Sequence, residues 1–359
     1  MRCRHCYVSA SPSHGELMAT ETLNRAIDLL EHVGIRDVRL TGGEPTIHPE
    51  FDKIVDRLHC AGASVGLTSN GKRLLRRNDA AQLLRKLSRC WISVYGPTRE
   101  LHRSVGGESA ADLDSIIAWV GNFGRAGFHI GVSALLTPGS ADHVVSFLGQ
   151  LGQAGVHRVR LIPIQPDGRA TSAFSIDWSD WPRELGELVA LLRSQSSGDR
   201  FTTFTINDMC DFGEGRLSPH ESCLLRGRRM WSIVPNGDVF PCCFTVYDSK
   251  RRVGNIWDRD IEAALGSRWP VDSHVVPCRA FEWVALTSDA ASGISCPIST
   301  LDLRSRMMAS QFPTIGHTHA SEPAGTSAHQ VSGRRRTGDA SARRGHSLPV
   351  LVFQGRAGP

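Results

Sequence analysis

From residue 20 to residue 206 the sequence repeats one unit, an amphipathic helical stretch closed by glycine and followed by a short apolar strand, and this repeat constrains the fold more than any other feature. "ATETLNRAIDLLEHVG" places Leu23, Ile27, Leu30 and, less regularly, Val33 on one helical face, with Thr20 as the expected N-cap and Gly34 as the stop. "VRLT" follows as a strand. The cycle recurs: a helix to Gly62 and then "SVGLTSNG", a helix over 73–88 and then "CWISVYG", a helix to Gly127 and then "FHIGVSALLT", a helix to Gly155 and then "HRVRLIPI". A helix over 178–195 leads to a last strand, "TTFTI". Short apolar strands alternating with helices form a parallel sheet covered by those helices. About six such units fit a partial (β/α)6 TIM-like barrel, an α/β fold whose ligands lie at the carboxyl ends of the strands. A doubly wound sheet is the alternative.

The rest of the chain limits what this barrel can be for. No stretch of 18 apolar residues exists, and the first residues carry charges and cysteines where an export signal would be apolar, so a cytoplasmic protein without a membrane span is expected. The formal charge of +5 sits in the last part of the chain, where eight arginines face only Asp302, Glu322 and Asp339. A basic tail rich in Ser, Ala, Gly and His fits a disordered segment better than a specific nucleic-acid surface. The ten cysteines, in a chain expected to stay in a reducing compartment, point to metal rather than to disulfides. Cys60 and Cys90 stand apart in apolar segments and are expected to be buried packing.

Two strings carry the chemistry. The chain opens "MRCRHCY", with Cys3, Cys6 and an aromatic, Tyr7, directly after. The first strand ends in "LTGGEPTIHPEF", where Gly42 and Gly43 permit close approach of backbone to a ligand, Glu44 supplies a carboxylate and Pro45 fixes the turn. His48 and Pro49 are expected to start the next helix. Alone, two such cysteines are more often half a zinc site or inert thiols than cluster ligands.

Together the two strings resemble the radical S-adenosylmethionine (radical SAM) enzymes, whose hallmark is Cys-x3-Cys-x2-Cys-aromatic followed by Gly-Gly-Glu-Pro. The resemblance implies that Cys3 and Cys6 are the last two thiolates of a [4Fe-4S] cluster with one open iron. The first cysteine of the hallmark would fall two residues before Met1, which implies an internal Met1 and one further strand upstream. It also implies S-adenosyl-L-methionine as cofactor, cleaved by one electron from the cluster to a 5′-deoxyadenosyl radical that takes hydrogen from a substrate. By the same resemblance Gly42, Gly43, Glu44 and Pro45 cradle the methionyl amine and Tyr7 lies near the adenine. Thr68, Ser69, Asn70 and Ser93 occupy strand ends where the family contacts ribose and carboxylate, and Ser133 is a further candidate. "LIPIQPDGRA", around Pro163 and Arg169, resembles a late barrel strand of relatives that modify peptides or small metabolites. No catalytic acid or base is identified.

A second cysteine set begins at "CLLRGRRMWSIVPNGDVFPCC". The "PNGD" between two apolar runs is a turn signal, so a hairpin should bring Cys223 and Cys242 together. With the later "GNIWD" and Cys278, this spacing resembles the SPASM or shorter twitch extension, which binds auxiliary iron–sulfur clusters. The full extension has more cysteines: Phe281 stands where the next is expected, so one auxiliary cluster on Cys223, Cys242 and Cys278 is implied, with Cys210, Cys243 or Cys296 as substitutes. A zinc hairpin is the other reading.

The expected organisation is a radical SAM partial barrel over 1–207, a SPASM/twitch-like module over 208–282 and a tail over 283–359, either disordered or the product of a frame-shifted reading. The expected function is radical modification of a substrate, in maturation of ribosomally made peptides, with a low-potential reductant such as flavodoxin or ferredoxin as partner. A sugar, nucleoside or aminoglycoside substrate is the alternative within the class. The molybdenum-cofactor cyclases are similar in outline, but this chain lacks their closing Gly-Gly. An inactive truncated homologue and a zinc-binding structural or nucleic-acid module are the readings outside it.

Overall fold

Six parallel strands follow one another across the sheet in chain order, because each is returned by a helix to the next position on the same side. The computed structural model describes residues 3–6, 17–108, 110–164, 169–174, 203–206, 231–240, 252–266 and 350–353, with isolated positions between. The strands are β1 (Asp37–Gly42), β2 (Ser64–Ser69), β3 (Arg89–Val94), β4 (Ile130–Leu136), β5 (Arg158–Pro163) and β6 (Thr203–Ile206). Beyond β1 the order continues through Val350–Phe353, Ser232–Ile233, Asp238–Phe240 and Gly254–Asn255, here β10, β7, β8 and β9. Helix α1 (Thr20–His32) precedes β1, and the helices between the first five strands are α2 (Phe51–Cys60), α3 (Ala80–Lys86), α4 (Arg99–Gly106), α5 (Leu113–Arg125) and α6 (Ala141–Gln153). Among the described residues no helix is long and apolar enough to cross a membrane.

Strand alternation decides which face meets the helices. Val38, Leu40, Val65, Leu67, Cys90, Ile92, Val94, Ile130, Val132, Val159 and Leu161 are buried in one core with Leu23, Ile27, Leu30, Ile54, Leu58, Ile116, Val120, Phe147 and Leu151 from the helices. The residues between them in β3, Arg89, Trp91 and Ser93, are only half-buried and lie on the opposite, concave face. On that face Ser93 neighbours Ser133, and Ser133 neighbours Arg160. This is the architecture of a partial barrel, and the doubly wound alternative is set aside by the sequential strand order.

Several local expectations are corrected. Ala19, not Thr20, is the N-cap of α1, and the Thr20 hydroxyl instead donates to Glu50. The stretch 73–88 breaks into a 3-10 turn at Leu74–Arg76 and the short α3, because Arg77 is drawn off the helical path by Asp52 and Asp79, at 2.9 and 2.6 Å. Cys90 is buried, but Cys60 is exposed at the last position of α2, where the apolar face has already turned away. His48 does precede α2, with a structural role: its Nε2 lies 3.0 Å from the Met18 carbonyl and its Nδ1 accepts from the Glu50 N–H.

The hairpin expected at "PNGD" is present, with β7 antiparallel to β8 and Gly237 at φ 85° in its turn. Asn255 of "GNIWD" ties β9 to this turn through the Asn236 carbonyl and Asp238, and Ile256 and Ile261 are buried beneath. A short helix, Ile261–Gly266, carries Glu262 to Arg25 and His32 of α1, so this module is docked on the outside of the barrel. Cys223, Cys242 and Cys278 lie outside the described residues, as does the helix expected over 178–195 except for isolated positions. The tail places Val350–Phe353 in the sheet, parallel to β1, at the position next to Asp37–Gly42.

Candidate functional site

The site begins where β1 ends. Gly42 has φ 130°, a conformation that favours glycine, and the chain then swings through Gly43 into the 3-10 turn Pro45–Ile47. Glu44 caps that turn. Its Oε1 accepts from the Thr46 N–H at 3.1 Å, the Thr46 hydroxyl at 2.6 Å and the Ser69 hydroxyl at 2.9 Å, and its Oε2 accepts from the Asn70 N–H at 2.6 Å. Burial pushes this carboxyl up from its ordinary range while the four donors pull the other way. Glu44 is therefore a tie between the ends of β1 and β2. Its carboxylate is committed to the protein, and Gly43 beside it stays exposed with its backbone open to a ligand.

That arrangement redistributes the roles expected around it. Ser69 is buried, donates to Glu44 and accepts from the Gly71 N–H, so it positions the loop. Asn70 donates its N–H to Glu44, and its side-chain oxygen accepts from the Lys72 N–H at 2.9 Å. Thr68 and Ser93 stay half-buried at the ends of β2 and β3. Ser133 is buried and accepts from Arg160 Nε at 3.2 Å, while the guanidinium of Arg160 lies 4.7 Å over the Trp91 ring. Arg160 is itself buried on the concave face. Its one readable signal was a second arginine in the otherwise apolar "RVRLIP".

Across the strand ends sits the cysteine loop. The turn Cys3 to Cys6 is closed by the Cys6 N–H on the Cys3 carbonyl at 3.3 Å. Arg169, from the loop after β5, holds both ends: its Nε donates to the Cys3 carbonyl at 2.9 Å and its N–H to the Cys6 carbonyl at 3.1 Å. Arg4 stretches outward, with its N–H on the Val105 carbonyl and its guanidinium 4.7 Å over Phe174. Burial and the neighbouring Cys6 raise the Cys3 thiol, against the pull of a hydrogen bond from Tyr95 and the charge of Arg169. His5 Nδ1 is buried without a hydrogen-bond partner, and burial with Arg169 nearby lowers its pKa to about 4. Tyr7 lies outside the described residues.

Two half-buried thiols three residues apart, that of Cys3 disfavoured as a free thiolate by burial, form a donor pair suited to a thiophilic metal centre. Among the described residues no group of three or more His, Cys, Asp or Glu gathers around a metal position, so this pair supplies two ligands. The exposed backbone of Gly43 follows the end of β1, and the buried cation of Arg160 stands within β5 on the concave face. The residues present fit a cluster and an amino-acid-bearing cofactor.

Comparison with known proteins agrees with this geometry. Residues 1–148 match the model of the Radical SAM superfamily, and residues 223–269 match that of an iron-sulfur cluster-binding domain, SPASM. Mycofactocin maturase MftC of Mycobacterium tuberculosis (strain CDC 1551 / Oshkosh) is 25% identical over 259 residues, covering 69% of this chain and 62% of that protein. The MftC of Mycolicibacterium smegmatis is 27% identical, covering 71% and 64%. A probable GTP 3′,8-cyclase of Sulfolobus acidocaldarius is 24% identical, covering 55% and 64%. The chain thus spans less than two thirds of the length of these relatives. Among solved structures, Streptococcus suis SuiB bound to precursor peptide SuiA superposes with TM-score 0.58 at 16% identity, covering 76% of this chain and 63% of that one. Native anSMEcpe with bound AdoMet gives TM-score 0.58 at 16% identity, covering 86% and 95%. These two likenesses are of fold.

Proposed function

We propose that this chain, a member of the radical SAM superfamily with a SPASM iron–sulfur module, is an enzyme that modifies a peptide substrate by hydrogen abstraction. The observation that carries the reading is the pairing of the Cys3–Cys6 loop with the Gly42–Pro45 turn across one set of strand ends, in a chain that also matches the cluster-binding module. A [4Fe-4S] cluster with S-adenosyl-L-methionine supplies reductive cleavage to a 5′-deoxyadenosyl radical, with the electron from a low-potential donor such as flavodoxin or ferredoxin.

The protein's own part is to hold and to enclose. Cys3 and Cys6 give thiolates to iron, and Arg169 and Arg4 fix the loop that carries them. By tying β1 to β2, Glu44 holds in place the Gly42–Gly43 backbone that would take the methionyl amine. Ser133 and Arg160 would hold the carboxylate, where a buried guanidinium acts in low dielectric. Ser93 and Thr68 line the path of the ribose. Cys223, Cys242 and Cys278 would hold one auxiliary cluster in the module docked on α1.

A peptide substrate is supported by relatives that are named as mycofactocin maturases and by a fold neighbour solved with a precursor peptide. A nucleotide substrate is the second reading, favoured by the match to probable GTP 3′,8-cyclases. The test is anaerobic reconstitution with iron and sulfide, then dithionite and S-adenosyl-L-methionine, with 5′-deoxyadenosine measured. Wild type is expected to release the nucleoside, and Cys6→Ala to lose at least a hundredfold of it along with bound iron. Zinc bound without iron or labile sulfide would overturn the proposal.

A further inference from the structure

Trp91 of β3 stands on the concave face of the sheet, and the neighbouring strand gives up a side chain to admit it. Its strand partner in β4 is Gly131, where a Cβ would come within 2.7 Å of Trp91 Cζ3 and 2.6 Å of the Arg158 carbonyl oxygen. The space so kept is filled by the indole, and the guanidinium of Arg160, from β5, lies over it at 4.7 Å from the ring centroid. Arg160 Nε donates to the Ser133 hydroxyl at 3.2 Å. One restraint thus acts on an edge of the guanidinium and the other on its face, and together they fix its plane.

Packing alone does not explain an indole here. Trp91 Nε1 is buried with no hydrogen-bond partner, and a buried donor without an acceptor destabilises the fold. Phenylalanine would fill much of the same space without that orphaned N–H. What tryptophan adds is an electron-rich face, the strongest of the aromatic side chains toward a cation. Arg160 is buried, so water does little to screen the attraction. A guanidinium held in one plane presents its donors in a set direction, and a carboxylate is gripped best by such a planar fork.

We propose that Trp91 is a positioning residue for the cofactor: its ring sets the plane of the Arg160 guanidinium and so strengthens the hold of Arg160 on the carboxylate of S-adenosyl-L-methionine. The inference rests on the proposed function, which gives Arg160 that carboxylate. Anaerobically reconstituted wild type, Trp91→Phe and Trp91→Leu are titrated calorimetrically with S-adenosyl-L-homocysteine and with its decarboxylated analogue, which keeps the amine and lacks the carboxylate. Affinity for S-adenosyl-L-homocysteine is expected to fall by about threefold in Trp91→Phe and about tenfold in Trp91→Leu, in the order of ring strength toward a cation. The analogue is expected to bind all three proteins alike. An equal loss for the two ligands would mean that Trp91 merely shapes the cavity, and it overturns the inference, as does no loss for either. In a second arm Arg160→Gln removes the cation, and adding Trp91→Phe to it is expected to change the affinity for S-adenosyl-L-homocysteine no further; a repeated loss there overturns the inference. If Trp91→Leu does not fold, Trp91→Phe decides on the same comparisons. A wild type that binds S-adenosyl-L-homocysteine no better than Trp91→Phe leaves the proposed function standing without this inference. A wild type that assembles no iron–sulfur cluster overturns the proposed function and the inference with it.

Discussion

His102 shows how a single ring nitrogen can set a pH limit on the site. Its Nδ1 accepts the Tyr95 N–H, so the ring is neutral and its one proton sits on Nε2, facing the Ala111 carbonyl. A second proton would have to go on Nδ1, directly against that N–H. Burial lowers the pKa of His102 below its ordinary value. The sign follows: the unfolded chain binds the proton more readily, so this contribution to stability is complete above the ordinary histidine pKa and is lost as pH falls through the depressed one. His102→Asn keeps an acceptor for Tyr95 without a titrating group. Its thermal unfolding is expected to lose less stability between pH 7.5 and 5 than that of wild type. Equal losses would show that the acid limit lies elsewhere. At this scale the sequence assigned Ser69 and Asn70 to a ligand and did not reveal that both also bond Glu44. A hydroxyl and an amide at strand ends look the same in a sequence whether they face a cofactor or a carboxylate 25 residues away.

At the scale of elements, two glycines in neighbouring helices have opposite meanings. Gly121 of α5 lies so close to the turn after α6 that a Cβ would stand 1.9 Å from the Ala154 carbonyl oxygen, a backbone atom that cannot yield. Gly149 of α6 has open space around its Cβ position. Gly121→Ala is therefore expected to destabilise by about 3 kcal/mol or more, as overpacking does. Gly149→Ala should stabilise by about 0.5–1 kcal/mol through helix propensity alone. Urea unfolding of both variants checks the pair, and equal signs would mean that α5 and α6 are less closely packed than the structure shows. The period of apolar residues made these helices legible, since burial against a sheet enforces it. What the period could not reveal is proximity between elements: nothing local distinguishes Gly121 from Gly149. The same blindness explains the 73–88 stretch, which reads as one helix until Arg77 is drawn to Asp52 from another element.

For the whole molecule the open question is the edge of β1, the strand that delivers Gly42 and Glu44 to the site. The resemblance implied a further strand beside it, and in the structure that position is held by Val350–Phe353, which pairs with Arg39–Gly42 on one side and Ser232–Ile233 on the other. The sequence reading places Val350–Phe353 within a disordered or frame-shifted tail, and the strand's partner is set far away in sequence, which no local pattern encodes. The strand joins the barrel to the hairpin module, so its loss should act on both. Removing residues 341–359 is expected to expose the N–H and C=O groups along the β1 edge. Amide exchange in Val38–Gly42 should then speed by at least tenfold, and exchange in Ser232–Ile233 should rise with it, while β3 and β4, three and four positions away, keep their protection. Because Glu44 is held by Ser69 and Asn70 of β2 rather than by this edge, its turn should open less than β1 itself. Protection in β1 that is unaltered by the truncation would mean that another segment completes the sheet there, and that the tail plays no part in presenting the diglycine turn.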